Sequence, residues 1–194
     1  MRSSRSVAKV KGVVLLNGRE FALARGGQEA WDRVLQRLGP EDRQSLAEAI
    51  PVGWYDMGLY DRSNRAIAEA LGGEGARERE DVMREVGRFA AEHDLKTIHR
   101  LFLRLASPAY VIERSAGFWR RFQDSGTWSV VREPPNRMRA TLSGWGAQDE
   151  LTCIRLAAYM FRLFQLVGAR NGALERVACR SRGDPACVFQ AHWD

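Results

Sequence analysis

The chain has 194 residues, 45% of them apolar, and carries a formal net charge of +6. This size and apolar content suit one domain with a buried core, and no apolar run approaches the roughly 18 residues that a membrane span needs. Because nearly all the basic residues are arginines spread among Asp and Glu, the charge does not predict a nucleic-acid-binding surface. We expect a flexible basic tail over residues 1–9 and a single domain over residues 10–194.

The first two thirds of the chain has the periodicity of helices. Apolar residues recur at helical spacing in six segments: 28–38, 41–50, 64–71, 81–92, 95–105 and 108–122. Ser107 and Pro108 suit the N-cap and the first turn of the last of these helices. The polar, glycine-rich segment 72–80 predicts an exposed loop.

After residue 126 the pattern changes from helical spacing to alternation. Segments 127–132, 137–145, 174–179 and 186–192 have the composition of strands, and 149–167 is a helix that is apolar on most sides. The sequence therefore predicts an α+β fold: a helical layer followed by a ββ-α-ββ antiparallel four-stranded sheet with a buried crossover helix.

Three cysteines, Cys153, Cys179 and Cys187, are the candidate chemical groups of this chain. Residues 182–185 form turns readily, and a hairpin symmetric about Gly183 places Cys179 opposite Cys187, about 4.5–5.5 Å away. This proximity permits a disulfide, a pair of metal ligands or two small packed side chains. Since the first residues do not resemble an export signal, we expect a reducing cytoplasm and free thiols.

Two segments resemble known families. Residues 175–189 (ERVACRSRGDPACVF) resemble the closing hairpin of 4-vinyl reductase domains. Residues 11–14 (KGVV), with Glu20, Phe21 and the segment 26–31, resemble the start of heme-nitric-oxide-binding domains. Both families belong to a superfamily shared with TRAPP vesicle-tethering subunits. The resemblance implies a compact α/β sensor or scaffold, often dimeric, with an apolar pocket between helices and sheet.

The same resemblance implies a structural zinc site at the three cysteines. Phenol-sensing activator domains of this group bind zinc through three cysteines and a glutamate. That glutamate stands three residues before the second cysteine, where this chain has Arg176. Glu175 is one residue away and so belongs to the opposite face of a strand. His192 or a water could complete the coordination instead.

Heme is not expected as a cofactor. The chain lacks the Tyr-x-Ser-x-Arg propionate motif of heme-nitric-oxide-binding proteins and a convincing proximal-histidine segment. His93 and His99 belong to predicted helices at a spacing of six residues, which does not place them on one helix face.

Aromatic and methionine side chains are the candidates for a small-molecule cavity, because such cavities are mostly apolar. Their other interpretation is ordinary hydrophobic core. The candidates are Phe102, Tyr110, Phe118, Trp128, Met160, Phe161 and Phe164.

No catalytic motif is visible, since the chain has neither a Gly-x-Ser-x-Gly element nor a phosphate-binding loop. We expect a non-enzymatic, cytoplasmic, homodimeric domain that senses a small apolar ligand and acts through a protein partner, with no membrane or nucleic acid as partner. The alternatives are a ligand-free interaction scaffold similar to the TRAPP subunits and, less favoured, an auxiliary of tetrapyrrole metabolism.

Overall fold

The computed structural model describes residues 7–97, 107–133 and 135–194, without the side chains of 95–97. The helices are α1 (Gly12–Leu35), α2 (Pro40–Ala47), α3 (Met57–Gly72), α4 (Ala76–Thr97), α5 (Pro108–Phe122) and α6 (Glu150–Leu166). The strands are β1 (Lys9–Lys11), β2 (Trp54–Asp56), β3 (Thr127–Glu133), β4 (Arg137–Ser143), β5 (Ala173–Ala178) and β6 (Ala186–His192). The predicted α+β class is confirmed.

The main sheet has the strand order β3-β4-β6-β5, with every neighbouring pair antiparallel. Helix α6 follows β4 in the chain and leads to β5, which lies at the edge of the sheet. Strand β6 then lies between β4 and β5. The predicted ββ-α-ββ order with a crossover helix is therefore confirmed. Helix α6 packs against α4, and α5 packs against β3.

The alternating burial along strand β6 shows which face of the main sheet is covered. Cys187, Phe189 and Ala191 are buried, whereas the alternate residues Gln190 and His192 are exposed. Because successive side chains of a strand point to opposite faces, one face of the sheet is covered and the other is open. The Phe189 ring reaches Trp128 of β3 across this covered face, with ring centroids 5.9 Å apart.

The helical part departs from the sequence prediction at two points. The predicted loop over 72–80 is too long: α4 already begins at Ala76, because the Arg and Glu residues after it favour helix. The first helix begins at Gly12, well before the predicted 28–38 segment, and contains a non-helical break at Gly26 and Gly27. The Ser107 hydroxyl accepts a hydrogen bond from Tyr110 N, which confirms the predicted N-cap of α5.

A second, two-stranded sheet was not predicted. Lys9 pairs with Asp56 in the β1–β2 ladder, so the last residue of the predicted tail lies in a strand. Strands of three residues are too short to show a period in the sequence. Within the described residues, no helix is long and apolar enough to cross a membrane.

Candidate ligand cavity and cysteine cluster

A cavity of about 210 Å³ lies between the helices and the covered face of the sheet. Helices α1, α3, α4, α5 and α6 contribute to its walls. Its aromatic side is formed by Tyr110, Phe118, Trp119, Phe122, Trp128 and Trp145. Most of the lining is apolar, as is typical of sites for small molecules.

Three tryptophans form one wall of the cavity. Trp119 stacks on Trp128 with ring centroids 5.7 Å apart, and Trp145 meets Trp119 edge-on at 5.5 Å. The indole N–H groups of Trp119, Trp128 and Trp145 donate, in that order, to Ser125 O, Ser115 Oγ and Gln123 Oε1. Because every indole N–H has a partner within the protein, the wall is fixed in orientation.

One group of lining residues is polar and linked by hydrogen bonds. Asp94 accepts hydrogen bonds from Asn17 Nδ2 and from the Tyr159 hydroxyl, each at 3.1 Å. Burial raises the pKa of the Asp94 carboxyl and the pKa of the Tyr159 hydroxyl. Burial likewise raises the pKa of Tyr60, whose ring lies under the Arg155 guanidinium at 5.0 Å. Polar groups removed from water therefore line part of an otherwise apolar space.

Arg155 is the only arginine or lysine in the described lining of the cavity, and just 3% of it is exposed. Its guanidinium donates to Asn64 Oδ1 at 2.5 Å and to Val14 O at 2.9 Å. Asn64 Nδ2 donates to Thr152 Oγ1, which in turn donates to Asp61 Oδ1 at 2.7 Å. Neutral acceptors on two other helices thus fix the position of the guanidinium.

The structure brings four of the predicted pocket residues together in the lining: Tyr110, Phe118, Trp128 and Met160. Phe164 is buried but stacks on Trp193, with ring centroids 6.2 Å apart, and is absent from the described lining. Phe161 is also absent from it, because the face of α6 toward the cavity follows the helical spacing 156, 159, 160 and 163. Phe102 lies outside the described residues.

Sequence reasoning missed the polar part of the cavity lining: Asn17, Asp94, Arg155 and Tyr159. One signal was available. Arg155 is a cation within a helix predicted to be apolar on most sides, and charged side chains are almost never fully buried unless they are paired.

The three cysteines form a compact cluster on the other side of α6. Their Sγ atoms all lie within 4.8 Å of one another, and the Sγ atoms of Cys153 and Cys187 are 3.9 Å apart. All three thiols are free and buried. Zinc–sulfur bonds of about 2.3 Å in a tetrahedron place sulfurs roughly 3.8 Å apart, so this spacing suits a tetrahedral metal.

The surroundings of the cluster stabilise negative charge on sulfur. Arg180 N donates to Cys187 Sγ at 3.4 Å, and Arg176 Nη1 donates to Cys179 Sγ at 3.3 Å. The hydrogen bond with Cys153 lowers the pKa of Cys187 to about 6, and the same hydrogen bond raises the pKa of Cys153. Thiolates are the form in which cysteines bind metals.

The fourth position of a metal site has few candidates. Within the described part of the chain, no histidine or acid joins the three cysteines in a cluster that could hold a metal. Arg176, at the position where the resemblance implied a glutamate, donates a hydrogen bond to the cluster and pairs with Glu150 at 2.7 Å. Glu175 and His192 are exposed on the open face of the sheet. The remaining candidates for the fourth ligand are Ser181 Oγ, which lies 2.9 Å from Cys179 Sγ, and a water.

Comparison with solved structures identifies the fold as that of H-NOX domains. An H-NOX protein from S. oneidensis in the Fe(II)NO ligation state matches with a TM-score of 0.72 and 14% identity, over 95% of this chain and 99% of that one. The Fe(II) unliganded H-NOX protein from K. algicida matches with a TM-score of 0.67 and 11% identity, over 95% and 96%. An H-NOX structure that probes heme distortion matches with a TM-score of 0.66 and 10% identity, over 95% of each chain.

No protein-family model and no curated protein matches this sequence. The structural neighbours agree with the heme-nitric-oxide-binding part of the resemblance, and they do not bear on its 4-vinyl reductase and TRAPP parts. They also correct the expectation against heme, which was wrong: the proteins that share this fold are described in iron-ligation states and by their heme.

The residues that line the described cavity suit heme, but the volume of the cavity is small for it. Its aromatic walls match an apolar macrocycle, and Met160 is a possible axial ligand in the lining. No histidine lines it among the described residues: His93 stacks on Phe89 with centroids 5.9 Å apart, and His99 lies outside them. A volume of about 210 Å³ is below the roughly 300–1,000 Å³ usual for ligand sites, so a tetrapyrrole requires the walls to separate.

Proposed function

We propose that this chain is a sensory domain that holds a small molecule or cofactor in the cavity between its helices and its sheet. The observation that carries the proposal is a mostly apolar cavity lined by three tryptophans, of which Trp119 packs against the other two, and by a group of buried polar side chains. A core that existed only for stability would fill such a space with side chains, because protein interiors are close-packed. The H-NOX fold over 95% of the chain supports the same reading.

Heme is the first ligand to test, because the neighbours are described by their iron or heme. In this chain Met160 of the lining and His99, which lies outside the described residues, are the side chains that could hold the iron. Bound heme would supply an iron that takes a diatomic gas, as in the NO-ligated neighbour.

The test is a titration of the purified chain with hemin, followed by the Soret absorbance, on the wild type, Met160→Leu and His99→Ala. His192→Ala is the matched control, since His192 is exposed on β6. We expect a saturable Soret band that one of the two ligand variants shifts or abolishes and that the control leaves unchanged.

Native mass spectrometry of the chain from its own host gives the complementary result. A retained small molecule other than heme would support the sensory function and show that the ligand is not heme. A folded protein with neither hemin binding nor a retained molecule would contradict the proposal and favour the ligand-free scaffold.

We also propose a structural Zn²⁺ at Cys153, Cys179 and Cys187, with Ser181 or a water in the fourth position. The mutual distances of the three sulfurs and the hydrogen bonds to two of them support this site. Such a metal would join α6 to the β5–β6 hairpin, because the cysteines come from both.

We also propose that the domain is cytoplasmic and homodimeric, that it acts through a protein partner and that it has no enzymatic role. Sedimentation velocity over a range of protein concentrations tests the dimer directly, and a chain that stays monomeric throughout would remove that part of the proposal.

A further inference from the structure

Arg155 is hydrogen-bonded to neutral groups, and in the described part of the chain Asp94 is the acid that acts on its charge electrostatically. The hydrogen bonds of Arg155 go to the amide oxygen of Asn64 and the carbonyl of Val14, and its face lies over the Tyr60 ring. No ion pair joins it to a described carboxylate. By contrast, Arg162 of α6 and Arg176 of β5 each form an ion pair with a glutamate at 2.7 Å.

A buried charge without a counter-charge is costly to a folded protein, and hydrophobic residues of similar volume usually serve a core better. Two carboxylates are near enough to be considered as counter-ions. The Asp94 oxygens accept hydrogen bonds from Asn17 and Tyr159, and the attraction of Arg155 lowers the pKa of the Asp94 carboxyl by less than burial raises it. Asp61 reaches the guanidinium only through Thr152 and Asn64. Burial raises the pKa of both carboxyls, which favours their neutral forms.

The guanidinium also belongs to the lining of the cavity, together with Asn17, Asp94 and Tyr159. From this geometry we infer that the occupant of the cavity is an apolar molecule with one carboxylate, which pairs with the Arg155 guanidinium while its apolar part contacts the tryptophan wall. The inference rests on the proposed ligand-binding function and names the chemistry of the ligand. A propionate of a tetrapyrrole belongs to the same chemical class.

A carboxylate fits this position better than a phosphate. One guanidinium forms paired, charge-assisted hydrogen bonds with one carboxylate, and the two charges cancel. A dianionic phosphate would leave a second negative charge in an apolar space beside Asp94.

The experiment compares three probes with the same alkyl chain: octanoate, octanol and octylammonium. Binding to the full chain is followed by tryptophan fluorescence, since Trp119, Trp128 and Trp145 line the cavity, and by calorimetry. We expect octanoate to bind on the order of ten-fold more tightly than octanol, and octylammonium to bind most weakly. Equal binding of octanoate and octanol to the wild type would overturn the inference.

The variant Arg155→Met should remove the preference for octanoate and leave octanol affinity within about two-fold. Arg162→Met is the matched control, because it removes a half-buried, ion-paired arginine from the same helix. The head-group comparison on the wild type decides the inference even if Arg155→Met does not fold.

The failure of this inference can be separated from the failure of the proposed function. If octanol binds as well as octanoate, the cavity binds ligands and only the role of Arg155 is wrong. If none of the three probes binds, the inference is overturned, and the proposed function falls with it only when hemin and a retained host molecule are absent too.

Discussion

Gly87 of α4 lies directly against the backbone of Tyr159 in α6, so closely that a Cβ at position 87 would stand 2.9 Å from Tyr159 N. Side chains do not tolerate this distance from backbone, and the two helices can approach this far only because residue 87 is glycine. The contact occurs within one turn of Arg155, where α6 faces the cavity. We predict that Gly87→Ala lowers the free energy of unfolding by about 1–3 kcal/mol through overpacking.

Urea denaturation followed by circular dichroism measures this change. Gly117→Ala is the matched control, because Gly117 is an exposed glycine inside α5 with no neighbouring atom within 4 Å of a built Cβ. It should raise the free energy of unfolding by about 0.5–1 kcal/mol, since alanine restricts the unfolded chain and favours helix. Equal stability of Gly87→Ala and the wild type would show that the helices separate without cost.

Replacing Cys179 or Cys187 with serine should release the proposed zinc and lower the melting temperature strongly, because structural metal binding is coupled to folding. Elemental analysis gives the metal stoichiometry, and differential scanning calorimetry gives the melting temperature. Val177→Ser is the control, since Val177 lies on the same hairpin but is exposed. Identical melting curves for metal-stripped and metal-loaded wild type would argue against the site.

Asp149 is the N-cap residue of α6. Its Oδ1 accepts a hydrogen bond from Leu151 N at 2.9 Å, and its Oδ2 pairs with Arg65 at 2.7 Å. Asp149→Ala should cost about 0.5–2 kcal/mol of unfolding free energy for the cap, with a small addition for the ion pair because Arg65 is exposed. Asp149→Ser keeps a capping oxygen and should recover most of the loss in urea midpoint. If serine is no better than alanine, the cap is not the source of the stability.

The buried Asp94 predicts a pH dependence. Its folded pKa is raised by burial, so the folded state holds the proton more tightly than the unfolded state. This stabilisation is complete below the ordinary carboxyl pKa of about 4 and is lost as the pH rises through the folded value. Asp94→Asn should therefore gain stability relative to the wild type as the pH rises.

Urea midpoints at a series of pH values between about 4 and 7 measure this difference. Asp32→Asn is the control, since Asp32 is exposed on α1. Parallel pH profiles for Asp94→Asn and the wild type would mean that solvent reaches the carboxyl.

The sheet and α6 could be predicted because their sequences are strongly periodic and carry clear boundaries, such as Asp149 before α6. The approach of Cys179 to Cys187 followed from the turn residues around Gly183. In contrast, the polar part of the cavity lining depends on contacts between distant helices: Asn17 and Asp94 are 77 residues apart. No local pattern predicts such a pair.

The position of His192 away from the three cysteines could be predicted. His192 stands five residues after Cys187 on one strand, and an odd separation places two side chains on opposite faces. That parity alone excludes His192 from the cysteine cluster. The role of Arg176 could not be predicted, because its contact with Glu150 depends on where α6 lies over β5.

Helix α6 carries Cys153 on one side and Arg155 on another, only two residues apart. A helix is stiff over this distance, about 3 Å along its axis, so any rotation or sliding of α6 that adapts to a guest moves the Cys153 sulfur with it. If the proposed zinc and the proposed cavity ligand both bind, free-energy linkage works in both directions: a ligand that shifts α6 changes the affinity of the cysteines for the metal by the same factor by which the metal changes the affinity for the ligand.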